Sequence, residues 1–216
     1  MDPRTSWKGV FPAVTTQFRE DFSVDLDATK KVVEALVADG VSGLVMCGTV
    51  GENCSLSHAE KFSLLEMAVS TVAGRLPVIS GLAEYTSALG STYAREANRI
   101  GVDGLMVMPA MVYPAKPRET LDHFSTIARA TDTPIMIYNN PPSYRTDVTP
   151  TMLAALAEID TIVAFKDSSG DTRRIVDVRN MTGDRFIPFC GLDDVVLESV
   201  ALGCVGWVSG MSNVFP

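Results

Sequence analysis

The sequence predicts an α/β protein, a (β/α)8 TIM barrel, and three observations carry that expectation. Eight short apolar runs, beginning near Val10, Gly43, Pro77, Gly104, Pro134, Ile162, Phe186 and Gly206, recur about every 20 to 34 residues. Amphipathic stretches of helical length lie between them. A repeated glycine signature marks the passage from helix to strand, and strand alternating with helix means parallel pairing through right-handed crossovers. Eight such units favour a closed barrel over an open sheet. An open doubly wound sheet would want a glycine-rich nucleotide loop after its first strand, and Pro12-Ala13-Val14-Thr15-Thr16 offers none.

The elements follow in order. The first strand starts near Val10, and the helix after it runs from Asp25 to Asp39. Gly40-Val41-Ser42-Gly43-Leu44 then opens the second strand, and the same signature returns at Gly101-Val102-Asp103-Gly104-Leu105 and at Gly203-Cys204-Val205-Gly206-Trp207. The first glycine of each suits the left-handed position just past a helix end. The second is expected to let the chain turn tightly into the strand. Ser57 to Val72 opens with Ser57-His58-Ala59-Glu60, a reciprocal capping box. Prolines introduce the third, fifth and seventh strands at Leu76-Pro77, Thr133-Pro134 and Ile187-Pro188. The remaining helices are expected over Thr86 to Ile100, Pro117 to Ala130, Thr149 to Ile159 (with Thr149-Pro150 as cap and first turn), Asp171 to Met181 and Asp193 to Leu202. The chain stops at Phe215-Pro216, just after strand eight. The expectation is therefore one domain over 1–216, a barrel lacking its eighth helix, with Trp207 and Val208 showing an uncovered apolar face.

Composition narrows the partners. A net charge of −8 without a basic cluster argues against nucleic acid or an anionic membrane as the main partner. No signal peptide or membrane span is visible, so a cytoplasmic protein is expected. Cys47, Cys54, Cys190 and Cys204 are scattered and read as inert thiols. His58 and His123, the only histidines, lack paired spacing for a zinc site and read as surface or supporting residues.

Barrel chemistry sits where strands end. Strand six reads Ile162-Val163-Ala164-Phe165-Lys166-Asp167-Ser168-Ser169-Gly170, and lysine is rarely buried without a partner or a task. Alternation places Lys166 on one face with Ala164 and Ile162, while Val163 and Phe165 face the helices. Tyr138, ending strand five on the face of Met136, comes within reach at a strand spacing of about 4.8 Å. A desolvated amine is partly neutral near neutral pH and attacks carbonyls to form a Schiff base; a phenol beside it moves the protons. A salt-bridged lysine beside a core tyrosine is the alternative. After strand two, Gly48-Thr49-Val50-Gly51-Glu52 can cradle a carboxylate on backbone amides or be a plain tight turn. Thr49 adds a hydroxyl able to relay protons to Tyr138.

Together, Gly48-Thr49-x-Gly51-Glu52, Tyr138-Asn139-x-Pro141 and Lys166-Asp167-Ser168-Ser169-Gly170 resemble the dihydrodipicolinate synthase/N-acetylneuraminate lyase family of class I, lysine Schiff-base enzymes. The resemblance runs from Gly9-Val10-Phe11-Pro12 to Gly206-Trp207-Val208-Ser209. It implies that Lys166 forms the imine, Tyr138 shuttles protons over it and Thr49 joins the relay. It also implies that Thr49, Val50 and Gly51 hold the 2-oxo acid carboxylate, and that Ser143, Gly191, Asp193, Asp194 and Ser209 line the rest of the substrate site. No metal, no organic cofactor and a homotetramer are implied as well. Family members run longer, with an eighth helix and a helical extension that enclose the site, which this chain lacks.

Three departures bear on the substrate. Val50 stands where many members carry a hydroxyl. Pro109 is followed by Ala110-Met111-Val112 and only then Tyr113, where the synthases show a tyrosine pair that relays protons between subunits. Ser143 stands where the synthases carry an arginine for a second carboxylate, with Arg145 displaced by two. Both later changes argue against condensation of pyruvate with aspartate semialdehyde. The expectation is a deaminating or dehydrating lyase of the 1-pyrroline-4-hydroxy-2-carboxylate deaminase kind. A pyruvate-dependent synthase, aldolase or 2-keto-3-deoxy-sugar-acid dehydratase is the alternative. A non-catalytic 2-oxo-acid-binding barrel is the alternative from another class.

Overall fold

The computed structural model describes residues 1–216. A one-turn helix α1 (Pro3–Ser6) precedes β1 (Gly9–Pro12), α2 (Leu26–Ala38), β2 (Leu44–Met46), α3 (His58–Val72), β3 (Val78–Leu82), α4 (Ser87–Ile100) and β4 (Gly104–Val107). There follow α5 (Pro117–Ala128), β5 (Ile135–Asn139), a one-turn α6 (Pro141–Tyr144), α7 (Pro150–Leu156), β6 (Ile162–Asp167), α8 (Arg173–Thr182), β7 (Ile187–Cys190), α9 (Val196–Ala201) and β8 (Gly206–Ser209). All ladders are parallel, in the order β1-β8-β7-β6-β5-β4-β3-β2. The Ala13–Val45 bridge, with Val14 N–H donating to the Val45 carbonyl at 3.0 Å, joins β1 to β2 and closes the barrel. Every strand begins within one residue of its expected start.

Caps explain where the helices begin. Ser57 accepts from the Glu60 amide while Glu60 accepts from the Ser57 amide, the expected reciprocal pair. Thr149 accepts from the Met152 amide ahead of Pro150. α9 begins later than expected because Asp193–Val195 forms a 3-10 turn. The Asp193 carboxylate caps nothing there; it accepts from Trp207 Nε1 at 3.1 Å, Gly210 N at 3.2 Å and Met211 N at 3.1 Å. Its acceptor capacity is committed to the segment after β8, so the helix waits until Val196.

Two layers of core result. An outer layer packs the helices on the strands, with Leu44, Leu64, Tyr93, Leu105, Phe124, Ile137 and Phe165 among its buried members. An inner layer fills the barrel with Trp7, Phe11, Met106, Met136, Ala164, Phe189 and Val208, and Phe11 meets Phe189 edge to face at 5.3 Å. Trp7, 1% exposed, lies at the N-terminal end of the strands and forms the floor.

The glycine signature does two jobs, one of them different from expectation. Gly40, Gly101 and Gly203 have φ of +87°, +93° and +110°, the left-handed position past a helix. Gly43, Gly104 and Gly206 have no such φ and make no tight turn. A β-carbon there would collide with the Phe11, Trp7 and Phe189 rings respectively. These glycines are sockets for the aromatic side chains of the inner core.

Strand six also departs from simple alternation. Its register against β5 slips between Ile135 and Met136, which pair with Ile162 and Ala164, leaving Val163 as a bulge. Ile162 therefore joins Phe165 in the outer core, and Val163 packs on the inner one. The expected placements of Ile162 and Val163 are reversed, while Ala164 and Lys166 face inward as expected. The uncovered face at β8 is smaller than expected too. Val208 is buried inside the barrel, and half-buried Trp207 packs, with Val195, Val196 and Leu202, against the small cluster of Ile175, Cys190 and Cys204. No helix is long and apolar enough to cross a membrane.

Candidate active site

Lys166, the last residue but one of β6, lies directly opposite Tyr138 of β5, with Asn139 opposite Asp167. Both side chains are 5% exposed, and the Lys166 nitrogen sits 3.6 Å from the centre of the Tyr138 ring. No carboxylate forms a salt bridge with Lys166. Burial holds its pKa below the ordinary lysine value, and the neighbouring Tyr138 only partly opposes this. Burial alone would raise Tyr138. The Lys166 charge, the hydrogen bond from Asn140 and the polar groups of Ser168 and Lys166 close by outweigh it and bring the phenol below its ordinary value.

The strand that carries Lys166 is fixed by its neighbours. Asn139, buried, donates to Asp167 Oδ2 at 2.8 Å and accepts from Val148 N at 2.8 Å. Asp167 Oδ1 takes the Ser169 amide at 2.9 Å and hydroxyl at 2.5 Å. Ser168 differs from these two. It lies on the lysine's face, buried, and its hydroxyl has no partner at bonding distance in the protein, facing Tyr138. A β-carbon at Gly191 would strike both Ser168 Oγ and Lys166 Cε, so the glycine makes the room in which the lysine stands.

The loop after β2 is held open. The amides of Gly48, Thr49, Val50 and Gly51 donate to nothing in the protein, while the carbonyls of Gly48, Thr49 and Gly51 are engaged. Thr16 Oγ1 donates to Gly51 O at 2.7 Å, and buried Asn53 donates to Cys47 O at 2.6 Å. Cys47 and Glu52, flanking the loop, sit at φ +51° and +59°, a strained region for residues with side chains. A strained loop presenting free N–H groups in this way has the chemistry to accept an anion. Val50 turns its side chain to solvent at 44% exposure and offers only its amide.

Thr49 Oγ1 reaches Tyr144 Oη at 2.5 Å, rather than Tyr138 as expected. Tyr144, 6% exposed, stands edge to face on Tyr138 with ring centres 5.4 Å apart. Burial, then the nearby Tyr138, raises its pKa above the ordinary phenol value. The sequence reading missed this residue, yet a signal was there. Asn140 before Pro141-Pro142 is a cap before prolines, which makes one helical turn and folds Tyr144 back over the strand end. Asn140 accepts from Ser143 N at 3.2 Å and donates to Tyr138 Oη at 3.0 Å, joining the turn to the site. Thr16 and Asn53 gave no comparable signal.

The other expected site residues are placed differently. Asp193 lies near enough to Lys166 to act on its charge, but its carboxylate is tied to Trp207, Gly210 and Met211. Ser209 Oγ accepts from Ser212 N at 2.9 Å. Ser143, Arg145 and Asp194 are exposed, and none of their side chains is engaged with the protein. His123 is buried in α5 with Nδ1 3.1 Å from Ser87 Oγ, not at the surface; His58 is 3.1 Å from Glu84.

A (β/α)8 barrel with a buried amine over a phenol at its mouth, beside an anion-accepting loop, has the architecture of a class I, lysine-dependent lyase. The comparisons agree. Residues 6–216 match the model of the dihydrodipicolinate synthetase family, and the chain belongs to that family. It is 35% identical over 211 residues to the 4-hydroxy-tetrahydrodipicolinate synthase of Methanothrix thermoacetophila, covering 97% of this chain and 71% of the relative. It is 37% identical over 215 residues to an uncharacterized DapA-like lyase of Rhizobium meliloti, covering 98% and 70%. The dihydrodipicolinate synthase DapA-2 of Bacillus anthracis superimposes with a TM-score of 0.93 at 31% identity, over 96% of this chain and 71% of that one. YagE, a family member from E. coli K12 solved with pyruvate, does so with 0.91 at 26% identity, over 96% and 71%.

Proposed function

We propose that this family lyase works through an imine between Lys166 and the C2 carbon of a small 2-oxo acid or cyclic imino acid, and that it eliminates rather than condenses. The observation that carries the reading is the unpaired, buried Lys166 amine over Tyr138, beside the free amides of Gly48 to Gly51. The amides hold the substrate carboxylate and bring C2 to the nitrogen. Attack on a ketone expels its oxygen as water; attack on a ring imine opens the ring and leaves its nitrogen as an amine. The protein imine withdraws electrons, so C3 loses a proton with Tyr138 assisting, and a hydroxyl on C4 departs as water. One water then releases the lysine from C2. In the cyclic case the C3–C4 double bond then shifts, with a proton passing from C5 to the chain, so that the nitrogen-bearing carbon becomes an imine. A second water hydrolyses that imine and frees ammonia.

Elimination is favoured by the uncharged, exposed Ser143 on the α6 turn, where a second substrate carboxylate would need a cation. This points to hydroxylated ring imines of the 1-pyrroline-4-hydroxy-2-carboxylate kind. The names of the synthase relatives favour a second reading, condensation on pyruvate. A homo-oligomer, with the tetramer as its form, belongs to the same proposal. Borohydride reduction with substrate should add the substrate mass to Lys166, and Lys166→Ala should abolish it. Ammonia release from the ring imine separates elimination from condensation, which consumes pyruvate and an aldehyde. A lack of adduct with any 2-oxo acid would sink the imine reading.

A further inference from the structure

The Tyr138 hydroxyl is enclosed. Its neighbours are the Asn140 amide, which can only donate, the Lys166 nitrogen, the buried Ser168 hydroxyl and Tyr144. Of these, Tyr144 alone continues outward, because its hydroxyl meets that of Thr49 at 2.5 Å and Thr49 is exposed. Thr49 also belongs to the loop whose amides face the mouth. All these groups come from one chain. Tyr113, on the segment between β4 and α5, is 80% exposed and touches none of them.

We infer that Tyr144 is a proton-relay residue supplied by the same chain, linking the Tyr138 hydroxyl to solvent through Thr49, so that the relay is complete within one protomer. The inference rests on the imine chemistry proposed above. Imine formation moves two protons from the lysine nitrogen to the departing carbonyl oxygen, which leaves as water; nothing is oxidised and no proton is gained or lost overall. Tyr138 gives a proton to that oxygen, Tyr144 restores it and Thr49 restores Tyr144. The proton shed by the nitrogen returns along the same chain. The placement of the two phenols suits this order. Lys166 and Asn140 favour the ionised form of Tyr138, which suits it to give up its proton. Burial keeps Tyr144 protonated, so Tyr144 passes its proton on in concert with its replacement through Thr49. Tyr144 acts through Tyr138, so removing its hydroxyl should slow proton transfer while leaving the carboxylate's grip intact.

The test uses the whole chain with pyruvate as probe, reading two rates: borohydride trapping on Lys166, and exchange of the pyruvate methyl hydrogens for deuterium. Tyr144→Phe should lower both about 100-fold, the lower end of what a positioned proton-transfer group supplies. Half-saturation by pyruvate should stay within about twofold, and the melting temperature should hold. Thr49→Val should fall similarly and Thr49→Ser should recover most of the rate. The Thr49→Val/Tyr144→Phe double variant should be no slower than either single, as members of one relay are not additive. Tyr113→Phe should match the parent. A Tyr144→Phe protein that keeps its rates would overturn the relay while leaving the imine intact. An equal loss in Tyr113→Phe would overturn it in favour of a tyrosine from a second copy. Absence of trapping in the unaltered chain would overturn both readings together.

Discussion

Lys166 and Tyr138 are register partners on β6 and β5, and the lysine nitrogen lies 3.6 Å from the centre of the tyrosine ring. The pair is buried together, so each sets the other's protonation. Burial disfavours the ammonium and Tyr138 partly restores it.

This fixes the sign of a pH dependence. The attacking species is the neutral amine, so trapping rises as pH climbs through the lowered lysine value and is lost below it. The rise should be centred below 10.5, the ordinary lysine value. Tyr138→Phe removes the partner that favours the ammonium, so the rise should move further toward acid while the rate drops about 100-fold or more. Trapping measured against pH in both proteins checks this, and a rise that stays in place would break the coupling.

Asn53 holds the anion loop from behind through the Cys47 carbonyl at 2.6 Å and the Gly81 carbonyl at 3.4 Å. Asn53→Ala leaves these buried acceptors without that donor and should cost about 1–3 kcal/mol. It should also raise KM for a 2-oxo acid more than it lowers kcat, because the role proposed for the loop amides is to hold the carboxylate. Chemical denaturation and steady-state kinetics report the two effects, and an unchanged KM would separate the loop from substrate binding.

Two glycines of the repeated signature should respond differently to the same change. Gly104→Ala drives a methyl into the Trp7 ring and should cost about 1–3 kcal/mol, as overpacking does. Gly40→Ala meets no atom but sits at φ +87°, and should cost about 1 kcal/mol from backbone strain alone. In Trp7→Ala the penalty at Gly104 should vanish and that at Gly40 should persist. Thermal melts of the double variants decide it.

The four thiols should divide one against three. Cys54 is exposed; Cys47, Cys190 and Cys204 are buried. Burial pushes Cys47 and Cys204 up to about 12, so neither forms thiolate near neutral pH in the folded protein. A disulfide reagent at pH 8 should label one thiol quickly in the native protein and all four after unfolding. Since these thiols hold their protons more tightly folded than unfolded, stability should fall as pH rises past about 9, the ordinary thiol value.

The repeat of strand and helix was legible because it is local. Caps, prolines and glycines announce their own neighbourhood, and each strand start fell within a residue of its place. Lys166 and Tyr138 were legible for the same reason, as polar residues ending apolar strands. Ile162 and Val163 were not, since a bulge depends on how β6 meets β5. Tyr144 was passed over because no element was expected between the end of strand five and Thr149, where Asn140 and two prolines make a helical turn. The second glycines were misread because their partners, Trp7, Phe11 and Phe189, lie far off in sequence. Asp193 looked available for a substrate because its obligation to Trp207 and the Gly210-Met211 amides arises only when β7 and β8 are side by side.

Trp7 has one further consequence. With its ring seated under β4 and the inner core packed above it, the barrel has a single door. Under the proposed elimination, water, ammonia and the main product would have to leave past Tyr144 and Thr49, the way the substrate came in. In that reading the carboxylate end, held by the loop at the rim, would be last to go, so the product should compete with the substrate for entry. Traffic through this molecule is a queue with one entrance, and the residues at its threshold govern turnover as much as the amine inside.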